Sequence, residues 1–250
     1  MTIRIDYENY DKIIIAKFEN KEWVPRDIDV QYKIHKEWEK KIKRYDNIWS
    51  SPMVRLDNVR QEDRILHLDT SLTEYKFHAG TRNEKDKENR ANPIYVSANI
   101  ITSDDKLVFG LRDNSDRGNG QYNIAAGAMH PILDGPDGYP SPGIALYREI
   151  FEEFGLIPES FKNVKPEIAF SIDDEPTLSF LYTIRLGIDS EDVEKKLKAS
   201  IKRSEEFGMK PEMVDLKLVE NDPKIIRREL ETNGDSYRPM VQAMMEYLSR

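Results

Sequence analysis

The sequence predicts an α/β protein, and three observations predict it. Apolar runs rich in β-branched and aromatic residues recur between turn signals, as at residues 94–101, 107–112 and 121–127. An amphipathic run with helical spacing follows at 143–154. Beyond it, two more apolar runs precede a Glu/Lys-rich helical stretch. Residues 1–90 read as an α+β extension and 91–250 as the main domain. The boundary falls in the almost wholly polar run 83–92.

In chain order, Ile3 and Ile5 alternate with polar neighbours, and Ile13-Ile14-Ile15-Ala16 is a buried β run. After Pro25 a helix spans about 28–45, with Val30, Ile34, Trp38 and Ile42 on one stripe. His35 flanks that stripe and has no acidic or His cluster at metal spacing, so it reads as structural or exposed rather than as a ligand. Residues 53–56 and 64–68 read as two strands joined by a polar turn. The segment 72–82 packs aromatic, basic and hydroxyl residues closely. It is either an ordinary short helix capped by Gly80 or a nucleotide-facing segment with Lys76, His78 or Arg82 on phosphate.

Three strands follow, at 94–101, 107–112 and 121–127, and then a turn-rich loop to Pro142. Residues 167–172 and 178–186 pair as strands around the acidic turn Asp173-Asp174-Glu175, which is solvated or lies near a metal. Asp189 or Ser190 caps a helix to about Arg203, and Ser204–Gly208 forms a loop before a strand at 214–219. Helices at about 224–231 and 237–248 close the chain, the last with Met240, Met244, Met245 and Leu248 as a core stripe.

The run at 143–154 carries the chemistry. Ile144, Tyr147, Ile150/Phe151 and Phe154 recur as a buried stripe, and Gly155 with Pro158 stops the helix. Glu149, Glu152 and Glu153 share the other face. Like charges three and four residues apart repel, and anions in the last turn oppose the helix dipole at about 0.3–1 kcal/mol each. Arg148 is the cation nearest in sequence. A bound divalent cation removes the conflict, and a hard ion such as Mg²⁺ takes carboxylate oxygens. A plain acidic, solvated face is the other reading of the same charges.

The order of residues discriminates between them. Arg148-Glu149-Ile150-Phe151-Glu152-Glu153-Phe154-Gly155-Leu156 resembles the second half of the Nudix box, Arg-Glu-U-x-Glu-Glu-x-Gly-U with U aliphatic. The first half departs from the pattern. Pro140 stands where the family has a Glu, and Asp134 where it has a glycine; Gly127 matches the glycine after the third strand. The resemblance implies a mixed β-sheet held between helices. It implies metal-dependent hydrolysis of a nucleoside diphosphate linked to another moiety, with Mg²⁺ or Mn²⁺ on Glu149, Glu152 and Glu153. Glu152 and Glu153 then belong to the catalytic set with Arg148, which orients a neighbouring Glu. A further Glu in a late loop, Glu206 in preference to Glu205, serves as base or ligand. Arg112 meets the substrate or is a solvated loop arginine, and the segment holding Lys76 and Arg82 meets the substrate; Arg117 reads as plain loop and His130 as a weak phosphate contact at most.

The segment 72–82 loosely resembles a Nudix subgroup that hydrolyses UDP-sugars, so UDP-sugar and ADP-ribose lead as substrates. A (d)NTP-cleaving housekeeping hydrolase needs little beyond the core domain and leaves the first 90 residues without a task. Isopentenyl diphosphate isomerase shares the fold but relies on a cysteine, and this chain has none. A non-catalytic, nucleotide-sensing Nudix domain is the alternative from another class. Many Nudix hydrolases are dimers, and the residues locate no interface.

Composition sets outer bounds. Among 250 residues the formal net charge is −8, which argues against a nucleic-acid-wrapping protein or an mRNA-decapping role. A cysteine-free chain fits a reducing cytoplasm. The first ten residues lack the apolar stretch of a signal peptide, and no run approaches a membrane span.

Overall fold

The computed structural model describes residues 3–8, 10–44, 48–84, 86–113, 120–172 and 175–250. Arg117, Asp173 and Asp174 lie outside them. Along the chain run β1 (Ile3–Glu8), β2 (Lys12–Glu22), α1 (Ile28–Arg44), β3 (Pro52–Glu62), β4 (Ile65–Glu74) and α2 (Tyr75–Thr81). Next come β5 (Tyr95–Ile101), β6 (Lys106–Arg112), β7 (Tyr122–Asn123), β8 (Ala125–Ala128) and α3 (Pro142–Phe154). The chain closes with β9 (Phe161–Ile172), β10 (Glu175–Leu186), α4 (Ser190–Glu206), β11 (Met213–Glu220), α5 (Pro223–Asn233) and α6 (Pro239–Leu248). The α/β class holds, with sheets that carry helices.

Two compact units divide the chain. Unit 1 takes residues 1–96, 127–145 and 166–180; unit 2 takes 97–126, 146–165 and 181–250.

In unit 1, β4 lies between β2 and β3, parallel to the first and antiparallel to the second. This small sheet is therefore mixed. Leu66 and Leu68 on its central strand are fully buried. In the same unit, β1 pairs antiparallel with β9, Ile3 opposite Ile172 and Ile5 opposite Phe170. Val30 and Ile34 of α1 pack with Phe77, Ala91 and Trp23. The expected stripe stops short of the end of α1: Ile42 is exposed, in a last turn where Lys41, Lys43 and Arg44 suit the helix dipole. His35 is exposed and lies 3.3 Å from Glu39.

Gly80 sits inside α2 rather than capping it. A Cβ there would lie 2.5 Å from Ile34 Cγ1 and 2.8 Å from Ile34 Cα. Glycine's usual cost in a helix, about 1 kcal/mol, is thus accepted for close packing of α2 on α1. The loop after β8 is similarly built. Asp134 is fully buried, accepts from the His130 N–H at 2.6 Å, and its carbonyl accepts from the Ser141 N–H at 2.7 Å. Asp134 thus organises the loop after β8.

In unit 2 the strand order is β10-β5-β6-β11, with β7 on the far end of β6. The β6–β11 pair is antiparallel from Arg112 opposite Met213 to Lys106 opposite Glu220. Its two faces carry different helices. On one, a Cβ at Gly110 would lie 3.0 Å from Phe154 Cζ of α3 and 2.6 Å from Met213 Sδ. On the other, Phe109 meets the Tyr237 ring edge-on at 5.2 Å, and Lys217 reaches Glu229 of α5 at 2.5 Å. Helix, sheet and helix are thus layered within this unit. The Asp189 side chain caps α4 by accepting from the Asp192 N–H at 3.0 Å. The loop expected at Ser204–Gly208 is shorter, because α4 continues through Glu206. No helix among the described residues is long and apolar enough to cross a membrane.

Candidate active site

Pro142 opens α3 and Gly155 ends it with φ +68°. A Cβ on Gly155 would come within 2.9 Å of Ser200 Cβ, so both backbone and packing call for glycine. The buried face is rotated from the one the sequence suggests. Ala145, Leu146, Ile150 and Phe154 are buried, whereas Ile144 and Phe151 are exposed. Leu146, Ile150 and residue 153 are then i, i+4 and i+7 on one stripe. That rotation carries Glu153 into the interior, where it is 4 % exposed.

The three carboxylates consequently divide. Glu149 Oε1 and Glu152 Oε2 accept from the same Arg148 Nη1, at 2.6 and 3.0 Å. Glu153 turns the other way: Oε2 accepts from the Ala126 N–H at 3.0 Å, and Oε1 lies 3.3 Å from Arg112 Nη1. Arg112 Nη2 reaches Glu212 Oε2 at 2.6 Å. Two guanidinium groups thus face four carboxylates, and all seven residues, Ala126 included, belong to unit 2.

Electrostatics record the excess of negative charge. Burial pushes Glu149 up to about 7, against the lowering effect of Arg148, with Glu152 and Glu212 adding to the rise. Burial also raises Glu153 well above the usual carboxylate range; Arg112 opposes this, and Glu212 and Glu149 reinforce it. Desolvation of the charged form is the leading cause for both.

Of the other expected site residues, Arg112 joins the acid cluster, its side chain 11 % exposed. Glu206 sits on the last turn of α4, its carboxylate 63 % exposed and 3.9 Å from Lys202. Lys76 and Arg82 lie in unit 1. Lys76 pairs with Glu74 at 2.7 Å, and the Arg82 N–H caps α2 on the His78 carbonyl. His78 is buried between the rings of Tyr75 and Tyr95, at 6.3 and 5.9 Å. His130 Nδ1 accepts from the N–H groups of Ile132 and Leu133, a loop-building task.

Glu212 is the residue that sequence reasoning passed over. It lies two residues after Lys210, in a polar stretch that resembles any other loop. Its signal is positional: Met213 opposes Arg112 across β6 and β11, so residue 212 falls beside the arginine. Asn123 is a second such residue. It pairs with Gly110 across β6 and β7, is fully buried, and neither amide atom has a partner among the described residues.

Among the described residues, no group of three or more His, Asp or Glu side chains is drawn together as a metal would hold them. Each carboxylate is instead turned to an arginine or a backbone N–H. The donor set nevertheless fits a hard divalent cation: oxygen donors only, in excess over the cations that neutralise them. The point where Arg148 Nη1 bridges Glu149 and Glu152 is one where two carboxylates already share one positive group.

No protein-family model and no curated protein matches the chain. Among solved structures it is similar to a Deinococcus radiodurans protein at 13 % identity and a TM-score of 0.44, over 63 % of this chain and 83 % of that one. It is similar to the MutT protein from Methanosarcina mazei Go1 at 16 % identity and 0.40, over 63 % and 93 %. It is also similar to a NUDIX hydrolase from Nitrosomonas europaea at 17 % identity and 0.37, over 62 % and 86 %.

Proposed function

We propose that this chain is a Nudix hydrolase that cleaves a nucleoside diphosphate linked to another moiety, with a nucleotide sugar such as a UDP-sugar or ADP-ribose as substrate. One observation carries the reading: the box glutamates meet a fourth carboxylate, Glu212, in a half-buried cluster whose charge the protein neutralises only in part. Glu149, Glu152 and Glu153 would hold Mg²⁺ or Mn²⁺. When bound, such an ion neutralises the diphosphate and lowers the pKa of a water.

The chain's own residues do the rest. Arg148 fixes the rotamers of Glu149 and Glu152 and prevents them from repelling one another apart. Arg112 holds Glu153 in the interior, and the Ala126 N–H ties that carboxylate to β8. Glu212, 60 % exposed and anchored by one oxygen to Arg112, takes the proton from the attacking water. It fills the role that Glu206, exposed on α4, was expected to fill. Lys76 and Arg82 as phosphate contacts, and residues 1–90 as the specificity segment, belong to the same proposal. So do a cytoplasmic location and a homodimer.

A substrate panel tests it: UDP-glucose, ADP-ribose and 8-oxo-dGTP, each with Mg²⁺, with Mn²⁺ and with chelator. Metal-dependent release of UMP or AMP from a sugar conjugate is the expected result. Cleavage of 8-oxo-dGTP alone would move the chain to the housekeeping class. No turnover by a folded protein would favour nucleotide sensing.

A further inference from the structure

Arg90 follows the short 3₁₀ turn Lys87–Asn89 in unit 1, inside the stretch that reads as a polar linker. Linker arginines are normally solvated. This one is 8 % exposed, and its Nε is sealed from solvent with no acceptor among the described residues. The acid that acts on it most strongly, Asp86, is engaged elsewhere. It accepts from the Glu88 N–H at 2.9 Å and from Asn89 Nδ2 at 3.2 Å. The other charge that reaches it is positive: Arg4 of β1, itself tied to Asp6 at 2.5 Å. Burial lowers the Arg90 pKa, Asp86 opposes that, and Arg4 adds to it.

The backbone beyond Arg90 is pinned. The Ala91 N–H donates to Thr81 Oγ1 at 3.0 Å, the Asn92 carbonyl accepts from the Leu56 N–H at 2.9 Å, and Pro93 bridges Arg55. The segment that carries Arg90 is therefore held in place within unit 1. A guanidinium keeps its proton, so it cannot escape the cost of burial by neutralising. Buried charges in folded proteins are ordinarily paired, and this one carries donors in search of an acceptor.

We propose that Arg90 receives an oxyanion of a small molecule, the phosphate or carboxylate group of a ligand, in a site made of unit 1 residues. The guanidinium fork suits both groups, which offer two oxygens in the plane of its N–H bonds.

The test is the melting temperature of the full chain in chelator, in sodium chloride, phosphate or acetate at matched ionic strength. Chelator keeps the acid cluster of unit 2 out of the readout. In wild type, phosphate or acetate raises the midpoint over chloride by about 2–4 °C at an anion concentration near ten times Kd. Phosphate acting alone identifies a phosphoryl ligand; acetate acting equally identifies a carboxylate. Arg90→Met melts in chloride at or above wild type, because it removes an unpaired buried charge, and shows no anion shift. Arg90→Lys, which keeps the charge but loses the fork, shows at most half the shift. Three results would each overturn the proposal: no wild-type shift with either anion, an Arg90→Met shift equal to wild type, or, where Arg90→Met does not fold, an undiminished shift in Arg90→Lys.

Discussion

Glu153→Gln is expected to lower hydrolysis by about 10²–10³-fold while the protein folds at least as well as wild type. The second half of that expectation comes from the environment of the side chain. Glu153 is buried, and burial holds its carboxyl protonated well above the usual range. A carboxylate raised in this way favours the folded state at low pH, where it is protonated, and that contribution is lost as pH rises through its folded pKa. At neutral pH the charged form is a cost. Glutamine keeps the shape and still accepts from the Ala126 N–H. Metal-free Glu153→Gln should therefore melt at or above wild type at pH 8, and the gain should vanish toward pH 4. The same sign applies to Glu149, pushed up to about 7. Near-normal turnover in a folded Glu153→Gln would remove this residue from the catalytic set.

Arg112→Met is expected to do the reverse to stability. Arg112 supplies the positive charge next to Glu153 and joins it to Glu212. Its removal leaves a buried carboxylate with one backbone N–H and no cation. Breaking such a pair from one side costs about 3–5 kcal/mol, on the order of 10 °C in melting temperature for a chain of this size. The double variant Arg112→Met/Glu153→Gln separates structure from chemistry. It should recover most of the lost stability, with a coupling of about 1–3 kcal/mol, and none of the activity. An Arg112→Met protein as stable as wild type would mean that Glu153 does not depend on the arginine.

Much of this was written in the sequence, and what was not has physical reasons. The run from Arg148 to Leu156 located the helix, its stop at Gly155 and three of the four carboxylates. Periodicity placed the stripe on Ile144, Tyr147, Ile150/Phe151 and Phe154. Apolar residues occupy two overlapping faces of this helix, and tertiary packing, such as that of Phe154 close to Gly110, decides between them. The face chosen takes in Glu153, so one of three seemingly equivalent acids became the buried one. Glu212 was not legible because its role depends on strand register, Met213 opposite Arg112, about a hundred residues apart in the chain. Residues 204–208 read as a loop in the sequence, and that reading points to Glu206. The helix continued instead, its Glu/Lys pairs one turn apart sustaining it to the end. Gly80 gave the signal of a helix cap, yet its missing Cβ serves contact with Ile34, a partner that sequence spacing cannot reveal.

The carboxylates of α3 are proposed to hold the catalytic divalent cation, with Glu212 beside them as the base. The most direct measurement is a Mn²⁺ titration of the purified protein, read by the loss of the free-ion paramagnetic resonance signal. Wild type should bind Mn²⁺, Glu149→Gln and Glu152→Gln should each weaken binding by about tenfold or more, and Mg²⁺ should compete. Absence of binding in wild type, or binding that Glu149→Gln, Glu152→Gln and Glu153→Gln all leave unchanged, would contradict the account.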